Sequence, residues 1–436
     1  MPLLPVYPTV AMVRWHIALK SPSVIVHGIM WRTISMDETH RPRSRQITIT
    51  GIETMGINGN PRPDGGHYIW GIVKVETDTE LYGIGETYRG TEALRLAHDL
   101  SSVVTGENPL DPSRIHELLA ASYTGAGTVA RSAITAIETA CWDIKGKAHG
   151  LPLYELLGGK FRDSVELYSD TDAFARSDEH EPYSPEAVAR AAERVVAEGF
   201  TSIKFDLDVP TPGHPNPETV GRRLEPVEIQ HKVDMVEAAR DAIGPTINLG
   251  MDCHWKFSVE SAIRLGRRLE PYNLAFLEDP VHPEKFAAQR RVRQAIDIPI
   301  LTGENLTTLP RFYDLLEADA VDIAAPDMAR CGGLSEFLNI ASLCDIHGVP
   351  MAPHNLTSPV GTIASVHAAA AIPNLYSIEY RGGDAPWWED IVERTGGGGS
   401  ILETGRITVP NGPGLGITLD RSEVEPRLVD TDEWII

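Results

Sequence analysis

The chain has only four cysteines, Cys141, Cys253, Cys331 and Cys344, and none of them forms a CxxC pair or a finger-like spacing. Neither a disulfide framework nor a structural zinc site is expected, and a reducing, cytoplasmic compartment fits this usage best. No run of 18 or more apolar residues occurs, so no membrane span is expected. Positive charge is short as well. Lys and Arg number 39 against 61 Asp and Glu, a net charge of −22, which argues against nucleic acid and anionic membrane surfaces as partners. The same field opposes an anionic substrate unless a bound cation reverses it locally. Glycine (38) and proline (32) are frequent but dispersed, without a collagen-like or linker-like tract. What remains is a globular composition, 42% hydrophobic and 23% charged over 436 residues, suited to one large domain and a smaller one.

From residue 46 the pattern reads as strand, loop, strand, strand. "QITITGIETM" is β-rich, residues 58–67 (NGNPRPDGGH) read as a loop by composition, and "YIWGIVKVETD" with "LYGIGETY" resembles a hairpin. Helical patterns follow to about residue 158. In the stretch 130–150, Ala, Ile and Trp recur at three- and four-residue steps, and Gly150 is the expected stop. Beyond residue 159 short apolar strands alternate with longer amphipathic segments. The strands are expected at 165–170, 200–206, 247–252, 275–279, 298–304, 320–327, 348–354 and 375–380. Strand–helix alternation implies parallel strands with crossover helices, and eight of them imply a closed barrel. A doubly wound open sheet is the rival, and it is weakened because no GxGxxG or Walker-type loop follows any strand. The expected architecture is α/β, a small α+β domain ahead of a β/α barrel.

Polar residues recur at one place, the C-terminal ends of successive strands. These are Lys204 and Asp206, Asp252 and His254, Glu278, Glu304, Asp327, His354 and Glu379. In a β/α barrel that edge builds active sites. Asp252, Glu278 and Glu304 recur at a spacing of 26 residues on three neighbouring strands and so converge. Three hard carboxylates without a thiol or histidine cluster favour Mg2+ over zinc. A cation there can hold both oxygens of a substrate carboxylate and stabilise the enediolate left by loss of the adjacent proton. A Lys or His base beside the ion completes that chemistry. His354 is the candidate base, with Asp327 placed to receive its imidazole N–H. His254, two residues past Asp252, is expected on the same side as that ligand, where it can protonate a departing hydroxide. Lys204 can pair with the substrate carboxylate or tune a neighbour. Asp206 can bind a hydroxyl, tune Lys204 or cap a helix, and Glu379 can serve as an electrophilic group or a strand-end ion pair.

These residues resemble the mandelate racemase branch of the enolase superfamily, over residues 46 to 416. "AITAIETACWDIKGKAHGLPLYELLGG" resembles that superfamily's helix leading into its barrel, and "LEDPV", "TGEN", "PDMARCGG" and "APHN" resemble its metal, sixth-strand and histidine segments. The resemblance implies a modified (β/α)8 barrel at 161–394 under an N-terminal capping domain at 46–160, which residues 395–436 complete. It also implies Mg2+ at Asp252, Glu278 and Glu304, a His354–Asp327 dyad, an electrophilic Glu379 and a homo-oligomer. The Asp-x-His at 252–254 is similar to the galactonate dehydratase group, in which that histidine is the general acid. Racemases of the branch carry Lys-x-Lys on the second strand, whereas this chain has Asp206 at the second position. A racemase needs an acid/base group on each face of the α-carbon, while a dehydratase needs one base and one acid for the leaving group. His354 and His254 supply the latter pair. The expected reaction is dehydration of a sugar acid, gluconate-, galactonate- or pentonate-type, to a 2-keto-3-deoxy acid. The rivals are a racemase or epimerase of a 2-hydroxy acid, and a catalytically silent binding protein.

Residues 1–45 differ in texture, with scattered basic residues and a basic run from Arg41 to Arg45 but without the order of a signal peptide. Met36 stands just ahead of the first convincing strand, and translation is expected to start there. N-terminal mass spectrometry of the native protein should find Met36 or Asp37; finding Met1 or Pro2 overturns the expectation.

Overall fold

A computed structural model describes residues 47–61, 67–122, 127–170, 183–214, 220–381, 385–397 and 399–429. Residues 1–46, with the expected start at Met36, lie outside them. β1 (Ile49–Pro61), β2 (His67–Thr77) and β3 (Tyr82–Thr87) form an antiparallel sheet in sequence order. The loop expected at 58–67 is shorter than its composition implied. β1 runs on to Pro61 and pairs it with His67, leaving 62–66 outside the described residues. The ladder shifts register between Asn58 and Pro61, and such an irregularity tolerates a proline that lacks the ladder donor.

Helices α1 (Glu92–Asp99), α2 (Ser101–Val104), α3 (Pro112–Ser122) and α4 (Thr128–His149) pack on this sheet around Val73, Val75, Leu94, Leu119, Ile134 and Ile137. α4 ends where expected, with Gly150 in the left-handed conformation (φ 68°). Its small residues let β3 approach the helix backbone. A Cβ on Gly83 or Gly85 would stand 1.9 or 2.0 Å from the carbonyl oxygens of Ala140 and Ala136. These glycines therefore set the depth at which β3, and Glu86 on it, enter the interface with the barrel.

After α5 (Leu153–Leu156) the barrel begins. β4 (Ser164–Asp170), α6 (Pro185–Ala197), β5 (Ser202–Asp206), α7 (Pro226–Ile243), β6 (Asn248–Asp252), α8 (Val259–Leu269), β7 (Phe276–Glu278), α9 (Phe286–Arg293), β8 (Ile300–Thr302), α10 (Leu309–Glu317) and β9 (Ile323–Ala324) follow in strict alternation. Neighbouring strands are parallel and adjacent in sequence order. α11 (Leu334–Ile346), α12 (Pro359–Ala370) and β10 (Ile378–Tyr380) complete the turn, and β10 pairs in parallel with β4. The strand expected at 348–354 is reduced to one residue, Met351, bridged to Ala324 and Leu375. Pro350 and Pro353 flank it and offer no ladder N–H, so the segment stays extended without becoming regular. Inside the barrel Tyr168, Phe276, Leu301, Ile323 and Ala352 form a buried apolar layer beneath the polar strand ends.

The C-terminal stretch touches both parts. β11 (Val392–Arg394) pairs with β14 (Ile417–Leu419), ahead of the short α13 (Arg421–Val424). β13 (Arg406–Thr408) extends the barrel sheet antiparallel to β4, and β12 (Leu402–Glu403) pairs antiparallel with β13. Later residues return to the N-terminal sheet, where Val429 N–H donates to Gly56 O and Leu428 bridges Ile57. Trp388, buried, donates from its indole to Thr357 O at 3.2 Å, while Trp387 packs on Trp70 with ring centroids 5.3 Å apart. This tryptophan pair is a wedge between cap and barrel.

Two buried carboxylates on the cap bind backbone of the barrel side, and a third ties the cap sheet to the C-terminal stretch. Glu86 accepts from Ser358 N, Ser358 Oγ and Gly361 N at 2.5–2.8 Å, at the start of α12. Glu138 accepts from Leu334 N, Ser335 N and Ser335 Oγ at 2.5–3.2 Å, at the start of α11. Asp143 accepts from Ile84 N and Leu415 N. Helix starts offer free N–H groups and a positive dipole end to Glu86 and Glu138, while burial raises the pKa of both, that of Glu86 to about 7.

His367, on α12 and fully buried, accepts from Tyr154 N–H at Nδ1 (3.3 Å) and donates from Nε2 to Leu415 O (3.1 Å), which requires the neutral ring. Burial pushes its pKa down to about 4. The unfolded imidazole titrates near about 6.5, so as pH falls the unfolded chain takes the proton first. The contribution is present above pH 6.5 and is lost as pH falls towards 4, about 3 kcal/mol in total. Urea titrations should show the stability advantage of wild type over His367→Gln shrinking by that amount across this window. A pH-independent advantage would remove the assignment.

Candidate active site

Strand register builds the site. Asp206 lies opposite Asp252, and Asp252 opposite Glu278, on the last residues of β5, β6 and β7. Lys204, two residues before Asp206, shares its inward face. Lys204 Nζ donates to Asp252 Oδ2 at 3.0 Å and Glu278 Oε2 at 2.9 Å, and lies 2.6 Å from Glu379 Oε1 on β10. All four side chains are buried. Burial opposes the charged ammonium, but Glu278, Glu379 and Asp252 outweigh it and hold the Lys204 pKa well above its usual range. Glu278 moves upward too, because burial and Asp252 disfavour its charge.

His354 follows Pro353 on the extended seventh segment. Its Nδ1 lies 2.6 Å from Asp327 Oδ2, while Nε2 faces Glu304 Oε2 at 2.9 Å and Glu379 Oε2 at 3.8 Å. Asp327 is fixed in turn by Ala329 N–H at 2.7 Å. Burial opposes the imidazolium, and Glu304 and Glu379 overcome it, so His354 titrates well above its ordinary value. Glu304 is correspondingly held low.

His254 reaches the pocket by a different route from the one expected. β6 stops at Asp252, and His254 and Trp255 turn in the left-handed region (φ 41° and 51°) while His254 N–H caps Asp252 Oδ1 at 2.9 Å. The side-to-side alternation of a strand does not apply past that point. The turn nevertheless brings His254 Nε2 to 3.7 Å from Asp252 Oδ2, with Nδ1 3.0 Å from Asp208 Oδ1 and 3.9 Å from Asp206 Oδ1. Partial burial opposes its charge, but Asp252, Asp206 and Asp208 outweigh it and raise its pKa well above the usual range. Asp206 is pushed upward by burial, with Asp170 and Asp208 adding to the effect.

All the expected residues but two, Glu278 and Asp327, line one cavity of about 460 Å3, and those two back it through Lys204 and His354. Sequence reasoning missed Asp208, one further step of two past Asp206, and the Asp170–Arg381 pair (3.1 Å), although Asp170 ends its strand as the other acids do. It also missed Tyr68 and Arg330, for which no local pattern signals a role. Tyr88 and Arg89, from the cap, and Asn305, beside Glu304, line the same wall.

A hard cation suits part of this set. Glu278 Oε1 is buried without a hydrogen-bond partner, and Asp252, Glu278 and Glu304 offer only carboxylate oxygens, the donors such ions take. The group of described acids and histidines whose ligand atoms lie within 4.8 Å of one another is instead Asp206, Asp208 and His254, not the expected Asp252, Glu278 and Glu304. The His254 Nδ1 is engaged by Asp208, as Asp252 and Glu278 are by Lys204 and Glu304 is by His354.

The sequence matches the mandelate racemase / muconate lactonizing enzyme N-terminal domain over residues 67–158 and the enolase C-terminal domain-like family over 186–424. The chain therefore belongs to the mandelate racemase / muconate lactonizing enzyme family of the enolase superfamily, a family of enzymes. It is 41% identical over 390 residues to D-xylonate dehydratase of Haloferax volcanii, covering 88% of this chain and 90% of that one. It is 31% identical to D-galactonate dehydratase of Ralstonia pickettii, covering 84% and 92%. A mandelate racemase/muconate lactonizing enzyme-like protein of Rubrobacter xylanophilus superimposes with a TM-score of 0.82 at 33% identity, over 90% of this chain and 100% of that one. The expected fold, capping domain and (β/α)8 barrel, is borne out, as is membership of the family.

Removing Lys204 leaves three buried acids without their counter-charge, which for a broken buried pair costs about 3–5 kcal/mol. Lys204→Met should lose that much unfolding free energy in urea titrations run with a chelator present. A loss below about 1 kcal/mol would mean that the acids neutralise one another by sharing protons.

Proposed function

We propose that the protein dehydrates a sugar acid, an aldonate, to a 2-keto-3-deoxy acid. The observation that carries this reading is the pair of imidazoles on one cavity. Each has Nδ1 against an aspartate, Asp327 for His354 and Asp208 for His254, and each has Nε2 towards the carboxylate cluster. β-Elimination of water needs one base and one acid, and the two histidines fill those roles. The kinship with xylonate, galactonate and gluconate dehydratases supports an aldonate, and the 41% identity to the xylonate enzyme favours five carbons.

In this reading Lys204 donates to the substrate carboxylate, and Glu379, 2.6 Å from the ammonium, orients it there. Mg2+ held by Asp252, Glu278 and Glu304 would stabilise the negative charge that develops on that carboxylate as the α-proton leaves. His354 Nε2 takes the proton, and Asp327 keeps the ring in the tautomer that can accept it. His254 delivers a proton to the hydroxyl leaving from the next carbon, oriented by Asp208. The resulting enol becomes the 2-keto acid by proton transfer. Asp206, next to His254, supports the acid side of the site. Racemisation would require a second base. Lys204 or His254 would have to serve, and Asp206 stands where racemases of the branch have their lysine.

The test is a semicarbazide assay for 2-keto acids across aldonates and aldarates. A keto acid from a five-carbon aldonate is expected, abolished by chelator and restored by Mg2+. His354→Asn should lower turnover by about 10³-fold, within the range for loss of a general base. Deuterium entering recovered substrate with inversion, without keto product, would instead establish a racemase.

A further inference from the structure

Arginine is unevenly engaged in this cavity. Arg381 pairs with Asp170. Arg89 has no carboxylate partner among the described residues, and Nε of both Arg89 and Arg330 is buried without a hydrogen-bond partner. The Arg89 guanidinium carbon lies 3.7 Å over the Tyr68 ring and 5.9 Å from the Tyr88 ring. Arg330 lies 4.7 Å over the other tyrosine, Tyr88, and its Nη2 donates to Asn305 Oδ1 at 3.1 Å. The Tyr88 ring stands 5.9 Å from His354. A guanidinium stacked on a ring has its plane fixed, and its N–H donors then point outward along that plane. In a chain with a net charge of −22, Arg89, a guanidinium on the pocket wall without an ion pair, is a donor awaiting an acceptor from the ligand, whereas Arg330 faces Glu304 as well as Asn305.

Resting on the dehydratase reading, we propose that Arg89, stacked over Tyr68, reads an oxygen acceptor at the end of the substrate remote from its reacting carboxylate. Arg89 enters from the cap, whereas the reacting end is claimed by Lys204 and the acids on the barrel strands. Arg89 is thereby the residue that makes the enzyme prefer long sugar acids over short ones. The acceptor is either the terminal hydroxyl of an aldonate or the terminal carboxylate of an aldarate.

Calorimetric dissociation constants separate the cases without relying on turnover. The protein used is the Mg2+-loaded full chain carrying His354→Asn, with and without Arg89→Gln. The ligands are glycerate, a five-carbon aldonate, a six-carbon aldonate and a six-carbon aldarate. Arg89→Gln should weaken the long acids by about 10- to 100-fold, as expected for a charged hydrogen bond, and leave glycerate unchanged. A loss greatest for the aldarate identifies a carboxylate as the acceptor; an equal loss across the long acids identifies a hydroxyl. An equal loss for glycerate, or none for any ligand, overturns the proposal while leaving the dehydratase reading in place. If no acid binds either protein, both readings fall.

Discussion

Lys204 is the buried cation on which the floor of the site depends. Asp252, Glu278 and Glu379 lie within 3.0 Å of its ammonium. Two like charges about 4 Å apart repel by roughly 4 kcal/mol at an effective dielectric near 20. Without compensation, three acids in that space would either protonate or push their strands apart. Parallel register brings them there in any case, because the barrel places every strand end on one rim. The rim is therefore a place where anions accumulate by construction and where a positive charge, from a side chain or a bound ion, is structurally required. The Tyr168 ring, 5.8 Å from the ammonium, closes this polar layer off from the apolar barrel interior.

Buried acids also join the cap to the barrel. Glu86 and Glu138 meet the first turns of α12 and α11, and Asp143 meets the backbone of β3 and of the C-terminal stretch. These contacts need a helix and a strand that approach closely, which Gly83, Gly85 and the alanines of α4 permit. The consequence reaches the site, since Tyr88 and Arg89 follow Glu86 closely along the chain. Anchoring Glu86 to α12 places Tyr88 beside His354. Cap residues thus reach the substrate end of the pocket through a short, stiff path.

Much of this is legible in the sequence because barrel geometry converts spacing into position. Alternation of strands and helices announces the barrel, and strand-end acids spaced by 26 residues announce a shared point. Legibility fails where the backbone leaves regular structure. The seventh strand shrinks to Met351 because prolines flank it, yet His354 still arrives, since an extended segment without a ladder carries a side chain as far as a strand does. Strand alternation predicts the right side for His254 by the wrong means, because a left-handed turn puts it in place. Arg330 and Tyr68 converge on the site only through the docking of cap on barrel, a long-range event that no local pattern records.

The two histidines solve one problem in different surroundings. Both turn Nδ1 to an aspartate and Nε2 to the cavity. His354 is 2% exposed and its aspartate 1%, so that dyad is shielded, which suits the proposed abstraction of one carbon-bound proton. His254 is 37% exposed, and a second acid, Asp206, stands 3.9 Å away. A proton delivered to a departing hydroxyl has to be replaced from solvent after every cycle, and an imidazole open to water and surrounded by acids recovers it readily. In the proposed reaction, burial of one imidazole and exposure of the other therefore divide the labour between base and acid, although both are held by the same kind of hydrogen bond.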